Sequence, residues 1–232
     1  MNKNITVITL GGSIVVPDRI DTVFLKKMKK LLTDYINGDP GRRVILVIGG
    51  GGTARTYQKA YREMEPLHDK DELDWIGIAA TILNARFLKA VFYDLCKDNV
   101  VTNPEEKISF TGKILIAAGW KPGFSTDFDA VMLAKQFKAD TLLNLSNISW
   151  VYTDDPEKNP SAEPIESISW SDFRKLVGDV WIPGKNVPFD PIAAKLASKM
   201  GLRVITANGR DLDNLNSILA GEPFKGTTIG SC

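Results

Sequence analysis

The chain has 232 residues, 44% of them hydrophobic and 25% charged, an ordinary balance for a globular protein. Its 29 Lys plus Arg against 28 Asp plus Glu leave a net charge of +1, so no bulk field draws it to nucleic acid or to an acidic membrane surface, and any bound anion must be held locally. Two cysteines, Cys96 and Cys232, and one histidine, His68, exclude a disulfide scaffold and a zinc site built from four Cys or His ligands.

In chain order, short β-branched runs alternate with segments of helical spacing. Residues 5–10 read as a strand, and Phe24, Leu25, Met28, Leu31, Leu32 and Tyr35 then recur at steps of three and four as a helix stripe, ended by Gly38-Asp39-Pro40-Gly41. Residues 44–48 are apolar on both faces, as in a strand covered by helices on both sides. Residues 53–65 read as a helix. Residues 71–97 form a long helical stretch carrying Ile76, Ala79, Ala80, Leu83, Phe87, Leu88, Val91 and Leu95, with Cys96 inside the pattern. Strands at 114–117 and 141–145 flank a helix over 127–137; helices follow at 170–177, 190–200 and 212–220, with a strand at 203–207. Such alternation predicts an α/β three-layer sandwich with a mainly parallel central sheet, whose ligands bind at the carboxyl ends of the strands. The irregular stretches 103–111, 152–164 and 178–188 are long enough to be candidate lids. No apolar run reaches the ~18 to 20 residues of a membrane span. The start carries no export pattern, so a cytoplasmic protein is expected.

The loops after the strands carry the chemistry. The first strand runs into Gly11-Gly12-Ser13 and the second into Gly49-Gly50-Gly51-Gly52-Thr53-Ala54-Arg55. Glycines at a strand-to-helix junction let backbone N–H groups approach an anion, and the helix start adds its positive end. Two such junctions suit two phosphates or two ends of one phosphate chain; tight turns alone are the bland alternative. Arg55, one turn into the helix, could clamp a phosphoryl group. Neither Gly112-Lys113 nor Gly184-Lys185 is spelled as a Walker loop, and the dinucleotide-like spacing from Gly49 lacks its acidic partner at the next strand end. The third loop, Gly119-Trp120-Lys121-Pro122-Gly123-Phe124-Ser125-Thr126-Asp127, gathers amides, hydroxyls and a carboxylate at a helix start. That set suits a polar ligand or a hydrated magnesium ion, and helix capping is the plain alternative. The fourth runs from Ser146-Asn147 to Tyr152-Thr153-Asp154-Asp155-Pro156, where an aromatic ring beside an Asp could meet a base or ribose, or simply form a surface turn.

Leu10-Gly11-Gly12-Ser13, Val47 through Arg55, Asp74-Trp75-Ile76-Gly77-Ile78 with Thr81, Asn84 and Ala85, Pro122 through Asp127, and Ser146-Asn147 with Tyr152-Thr153 and Asp155-Pro156 stand in the order and spacing of the amino acid kinase superfamily. Within it the chain most resembles the short archaeal uridylate (UMP) kinases, from Ile5 to the Gly226-Thr227-Thr228-Ile229 ending. The resemblance implies the amino acid kinase fold, with an acceptor lobe over 1–138 and a nucleotide lobe over 139–232 on one continuous sheet. The implied reaction is transfer of the γ-phosphoryl of magnesium ATP to UMP.

Carried over by position, Gly11, Gly12, Ser13, Gly50 and Gly51 would meet phosphates, and Arg55 and Asp127 would be catalytic. Asp127 would orient cationic groups or a hydrated magnesium ion without accepting a proton. UMP would be lined by Gly50, Asp74, Thr81, Trp120, Lys121, Pro122, Gly123, Phe124, Ser125 and Thr126. ATP would be lined by Gly12, Ser13, Gly51, Arg55, Ser146, Asn147, Tyr152 and Asp155. No protein ligand to the metal is implied, and the resemblance implies a hexamer. No histidine base is required, since a phosphate acceptor is already ionised, and His68 lies in a charged segment expected to be exposed.

Three features depart from the family pattern. Thr9 stands where many members have a lysine, leaving Lys121 or Lys185 as substitute cations. Asn147-Ile148-Ser149-Trp150-Val151-Tyr152 replaces Asn-Val-Asp-Gly-Val-Tyr, and Trp120-Lys121 and Trp181-Ile182-Pro183 are bulky for pocket loops. These departures keep open a different acceptor (an isoprenoid phosphate, carbamate or amino acid carboxylate) and a non-catalytic nucleotide- or oxyanion-binding storage protein.

Overall fold

The computed structural model describes residues 4–156, 158–178, 180 and 187–230. The chain runs β1 (Ile5–Leu10), α1 (Gly12–Val15), α2 (Thr22–Asn37), β2 (Arg43–Ile48), α3 (Gly51–Met64), α4 (Lys70–Val91), β3 (Ile114–Ala117), α5 (Thr126–Phe137) and β4 (Thr141–Ser146). It continues through β5 (Val151–Tyr152), β6 (Pro164–Ile165), β7 (Ser167–Ile168), α6 (Trp170–Val177), α7 (Pro191–Met200), β8 (Arg203–Asn208), α8 (Leu212–Ala220) and β9 (Thr227–Ile229). One seven-stranded sheet is ordered β3-β2-β1-β4-β8-β9-β7, parallel from β3 to β8, with β9 antiparallel to β8. The predicted α/β three-layer sandwich is the fold observed.

The period-two alternation of the strands divides the core. Ile8, Leu10, Leu46, Ile48 and Leu145 face one helix layer and pack with Ile14, Phe24, Met28, Leu32 and Leu88. Val7, Ile45, Val47, Leu142 and Val204 face the other, against Leu133, Phe173, Phe189 and Ala194. With each such side chain contributing roughly 1.5–3 kcal/mol on burial, the central strands are held from both sides and need no polar face.

Register places the loops. Leu10 pairs with both Ile48 and Leu145, and the ladder runs one residue further, Gly11 N to Leu145 O at 2.9 Å and Gly49 N to Leu10 O at 3.0 Å. Gly11, Gly49 and Ser146 therefore emerge side by side. From β1 the chain builds outward to β2 and β3, then returns to lay β4 on the other flank of β1, so the strand order reverses between β1 and β4, the place where ligands of open α/β sheets bind.

Several expectations are corrected. The long helix stops at Val91, six residues before 97. The Phe92 amide closes its last turn on Leu88 O, and Leu95 O then accepts the amides of Lys113 and Ile114, drawing the segment to the start of β3. Apolar spacing continued because Leu95 and buried Cys96 fill the same core. Residues 103–111 are a strap and not a lid. They pack on α5 and the start of β2, with Gln136 Nε2 donating to Glu106 O at 2.6 Å and Phe110 lying edge-on to Phe137 and under the Arg43 guanidinium. Residues 152–164 form a hairpin whose turn is held by Asn159 Nδ2 donating to Asp154 Oδ2 at 3.0 Å. Most of the 178–188 stretch, including Trp181, Ile182, Pro183 and Lys185, lies outside the described residues. His68 is half-buried against Tyr61, not exposed. Among the described residues no helix is long and apolar enough to cross a membrane.

Candidate active site

The two glycine loops interlock. A Cβ on Gly12 would stand 2.8 Å from the Gly50 carbonyl carbon and closer still to the Gly51 backbone; Gly51 itself has φ +63°, where a side chain is strained whatever the space. α3 begins at Gly51 with no side-chain cap on its first amides, and α1 begins at Gly12 in the same way. The glycines thus let two backbone segments touch at the start of the fourteen-residue α3, where the Gly52 amide donates to Val16 O at 2.7 Å and no side chain caps the other first amides, an arrangement suited to an anion. Ser13 lies in α1 at this junction. Arg55 is exposed one turn into α3, its Nη2 donating to Pro17 O at 2.6 Å, so its guanidinium is tied to the loop after α1.

α4 fastens the neighbouring loops through one polar stripe. Asn84 Nδ2 donates to Gly49 O at 2.9 Å and Gly50 O at 3.0 Å, Thr81 Oγ1 accepts the Gly119 amide at 2.9 Å, and Asp74 Oδ2 accepts the Gly123 amide at 2.9 Å. Spacings of seven and three residues put these side chains on one helix face. Asp74 and Thr81, expected to line an acceptor pocket, spend these hydrogen bonds on the loop that runs from Gly119 to Gly123. Asn84 carries a role the sequence reading did not assign, although a buried amide one turn beyond Thr81 on an apolar face was the available signal.

The loop they hold carries an aromatic corner. Trp120 and Phe124 lie 5.2 Å apart, Phe124 and Phe128 4.6 Å, and Lys121 Nζ sits 3.6 Å from the Trp120 ring centroid, a cation–π contact. Pro122 and Gly123 (φ +82°) turn the loop, and Ser125 caps α5 by accepting the Phe128 amide at 3.2 Å, so capping accounts for Ser125 and leaves Thr126 and Asp127 for other work.

Asp127 Oδ2 accepts the Asp190 amide at 3.1 Å, and Asp190 in turn caps α7. Although Asp127 is only half-buried as a residue, loss of water around its carboxyl, aided by the nearby Asp190 charge, pushes its pKa up to about 7. Asp129 was missed in the sequence. It is 1% exposed, accepts the Trp120 amide at 3.2 Å through Oδ2, and leaves Oδ1 buried without a partner. Burial, with repulsion from Asp127, raises it likewise to about 7. At position 9, Thr9 Oγ1 donates to Asn144 Oδ1 at 2.7 Å, and Asn144 Nδ2 donates to Pro188 O at 2.8 Å. A neutral bridge thus links β1, β4 and the approach to α7 at this position.

On the other flank Ser146 ends β4 beside Gly11, its Oγ accepting the Ile148 amide at 3.3 Å, and Asn147 follows directly. Tyr152 and Asp155 are not brought to the glycine loops by any described bond. Tyr152 pairs with Pro164 in the β5–β6 hairpin, and Asp155 sits in its turn, ion-paired to Lys158 at 3.0 Å. Among the described residues no three His, Cys, Asp or Glu side chains are grouped to hold a metal. A hollow at the starts of α2 and α8 is separate, and there Arg210 bonds Asp21 at 2.7 Å and lies over the Phe24 ring.

Residues 4–208 match the model of the amino acid kinase family. The chain is 34% identical over 226 residues to the uridylate kinase of Methanospirillum hungatei, covering 96% of this chain and 93% of that protein. It is 33% identical over 232 residues to the uridylate kinase of Thermoplasma volcanium, covering 99% and 98%. The crystal structure of uridylate kinase from Archaeoglobus fulgidus superposes with a TM-score of 0.82 at 29% identity, covering 97% of this chain and 99% of that one. With its sheet order, its paired glycine loops and a match spanning residues 4–208, this chain belongs to the amino acid kinase family.

Proposed function

We propose that the chain is a UMP kinase, transferring the γ-phosphoryl of magnesium ATP to UMP to give ADP and UDP. The observation that carries the reading is the contact of the two glycine loops at the reversal of strand order: backbone anion sites at these loops would lie side by side, as two phosphate-bearing substrates require. The likeness to uridylate kinases over nearly the whole chain supports UMP as the acceptor.

In the proposed step an oxygen of the UMP phosphate forms a bond to the γ-phosphorus as the bond to the ADP oxygen breaks. The acceptor oxygen is already ionised, so the protein's part is alignment and neutralisation of charge. The glycine-loop amides and the start of α3 would hold the phosphates, and Arg55, released from Pro17, would span them. The loop from Trp120 to Thr126, pinned by Asp74 and Thr81, would seat UMP, while Ser146 and Asn147, with Tyr152 and Asp155 of the hairpin, would serve ATP. Magnesium would arrive on the triphosphate, neutralising its charge, with the ionised Asp127 carboxylate suited to bond its water shell. We place the acceptor lobe in 1–138 and the nucleotide lobe in 139–232, and propose a cytoplasmic hexamer, which light scattering would test.

A panel of nucleoside monophosphates with magnesium ATP decides the acceptor. UMP should stimulate ADP release far above background, and no stimulation by UMP overturns the reading. The Lys121 and Trp120 corner favours one second reading, a non-nucleotide phosphate or carboxylate acceptor of the same fold, which would show as turnover with that acceptor alone.

A further inference from the structure

The acceptor loop is pinned from two sides. α4 holds its ends, with Thr81 on the Gly119 amide and Asp74 on the Gly123 amide. α5 holds it between them, where Asp129 Oδ2 takes the Trp120 amide at 3.2 Å. Asp129 is 1% exposed and its Oδ1 is buried without a partner, so this carboxyl spends its only described hydrogen bond on that amide. A buried acid so poorly satisfied costs stability, and the same packing is available to an apolar side chain.

We propose, resting on the UMP kinase reading, that Asp129 is a positioning residue of the acceptor site: its carboxyl fixes the Trp120 backbone and thereby sets where the Trp120, Lys121 and Phe124 corner meets the acceptor. An ionised carboxylate accepts an amide more strongly than a neutral acid, so the hold tightens as the group loses its proton. Charged groups bonded to this loop or to the first turn of α5 include Asp190 at the start of α7, Asp74 on α4, and Lys121 on the loop, whose ammonium lies over the Trp120 ring; Asp127 on α5 is the neighbour whose charge repels it.

Two amides make the test specific, because Trp120 N reports on Asp129 and Asp190 N reports on Asp127. In the 15N-labelled full chain, the Trp120 amide should titrate in wild type and cease to do so in Asp129→Asn, while the Asp190 amide goes on titrating in both. In steady-state assays, Asp129→Ala should raise the UMP KM about tenfold while kcat stays within about threefold, as expected for a lost ground-state contact. Asp129→Asn keeps an oxygen for the Trp120 amide and should restore KM to within about threefold of wild type. An unchanged Trp120 titration in Asp129→Asn, or a UMP KM in Asp129→Ala within about twofold of wild type, overturns the proposal. Absence of turnover with UMP in the wild type would sink the functional reading alone, and the amide titration, which needs no substrate and no Ala variant, would still decide the role of Asp129.

Discussion

Replacing Gly12 by Ala puts one methyl group where the two glycine loops touch. The added Cβ would stand 2.8 Å from the Gly50 carbonyl carbon and nearer to two atoms of Gly51, inside the 3.0 Å that real Cβ atoms essentially never cross. All three are backbone atoms, so no side-chain rotation relieves the overlap, and one loop must withdraw. Overpacking of this kind costs about 1–3 kcal/mol. A displacement of about 1 Å in groups that align reactants costs on the order of 10²-fold in rate. Urea denaturation should therefore show the variant folded but about 1–3 kcal/mol less stable. ADP release with UMP and magnesium ATP should fall on the order of 10²-fold. Gly201→Ala is the control: it has φ +61° with nothing within 4 Å of its Cβ position, at the end of α7. It should lose about 1 kcal/mol of stability and keep its turnover. A Gly12→Ala enzyme within about threefold of wild-type turnover would refute the argument, because the loops could not then be working in contact.

The raised carboxyls make stability depend on pH. Between the ordinary value of 3.8 and about 7, Asp127 and Asp129 keep protons that the unfolded chain has released, so stability should fall as pH rises through that window and level off above it. At 1.36 kcal/mol per unit, the Asp129 contribution is on the order of 2–4 kcal/mol; denaturation of wild type and Asp129→Asn at pH 5 and pH 8 should show the variant losing less, and parallel losses would contradict it. Asp127→Asn should lower turnover by at least about 10²-fold with the fold intact by circular dichroism, whereas near-normal turnover would reduce Asp127 to a tie to α7. Asn84→Ala removes the donor to Gly49 O and Gly50 O and should cost about 1–2 kcal/mol in denaturant melts; an unchanged midpoint would mean the loop holds itself. Arg55→Met should lower kcat by roughly 10²-fold or more while leaving stability almost untouched, since its bond to Pro17 is exposed; equal losses of both would make it structural.

What local pattern carries was legible in the chain. Apolar runs on both faces announced the central strands, and 3.6-residue spacing announced α2, α5, α7 and α8, because burial between two helix layers leaves no polar position to confuse the period. β5, β6, β7 and β9, two or three residues each, were not legible, since so few positions hold no period and their pairing is decided by distant partners such as β8. The false continuation of α4 past Val91 has the same root: Leu95 and Cys96 are apolar for the sake of the core and not of a helix.

By itself the sequence determined the sheet class, the two glycine junctions and the family motifs, all of which are short-range patterns along one chain. Only the tertiary structure decided how those motifs are used. Gly12 meets Gly51 because parallel register brings the ends of β1 and β2 level. Asp74 and Thr81 spend their hydrogen bonds on a loop some forty to fifty residues away. Asp129, the one polar residue at a buried position of α5, becomes a poorly satisfied acid beneath Trp120 only once helix, loop and sheet have closed over it and removed the water that would have kept it ordinary.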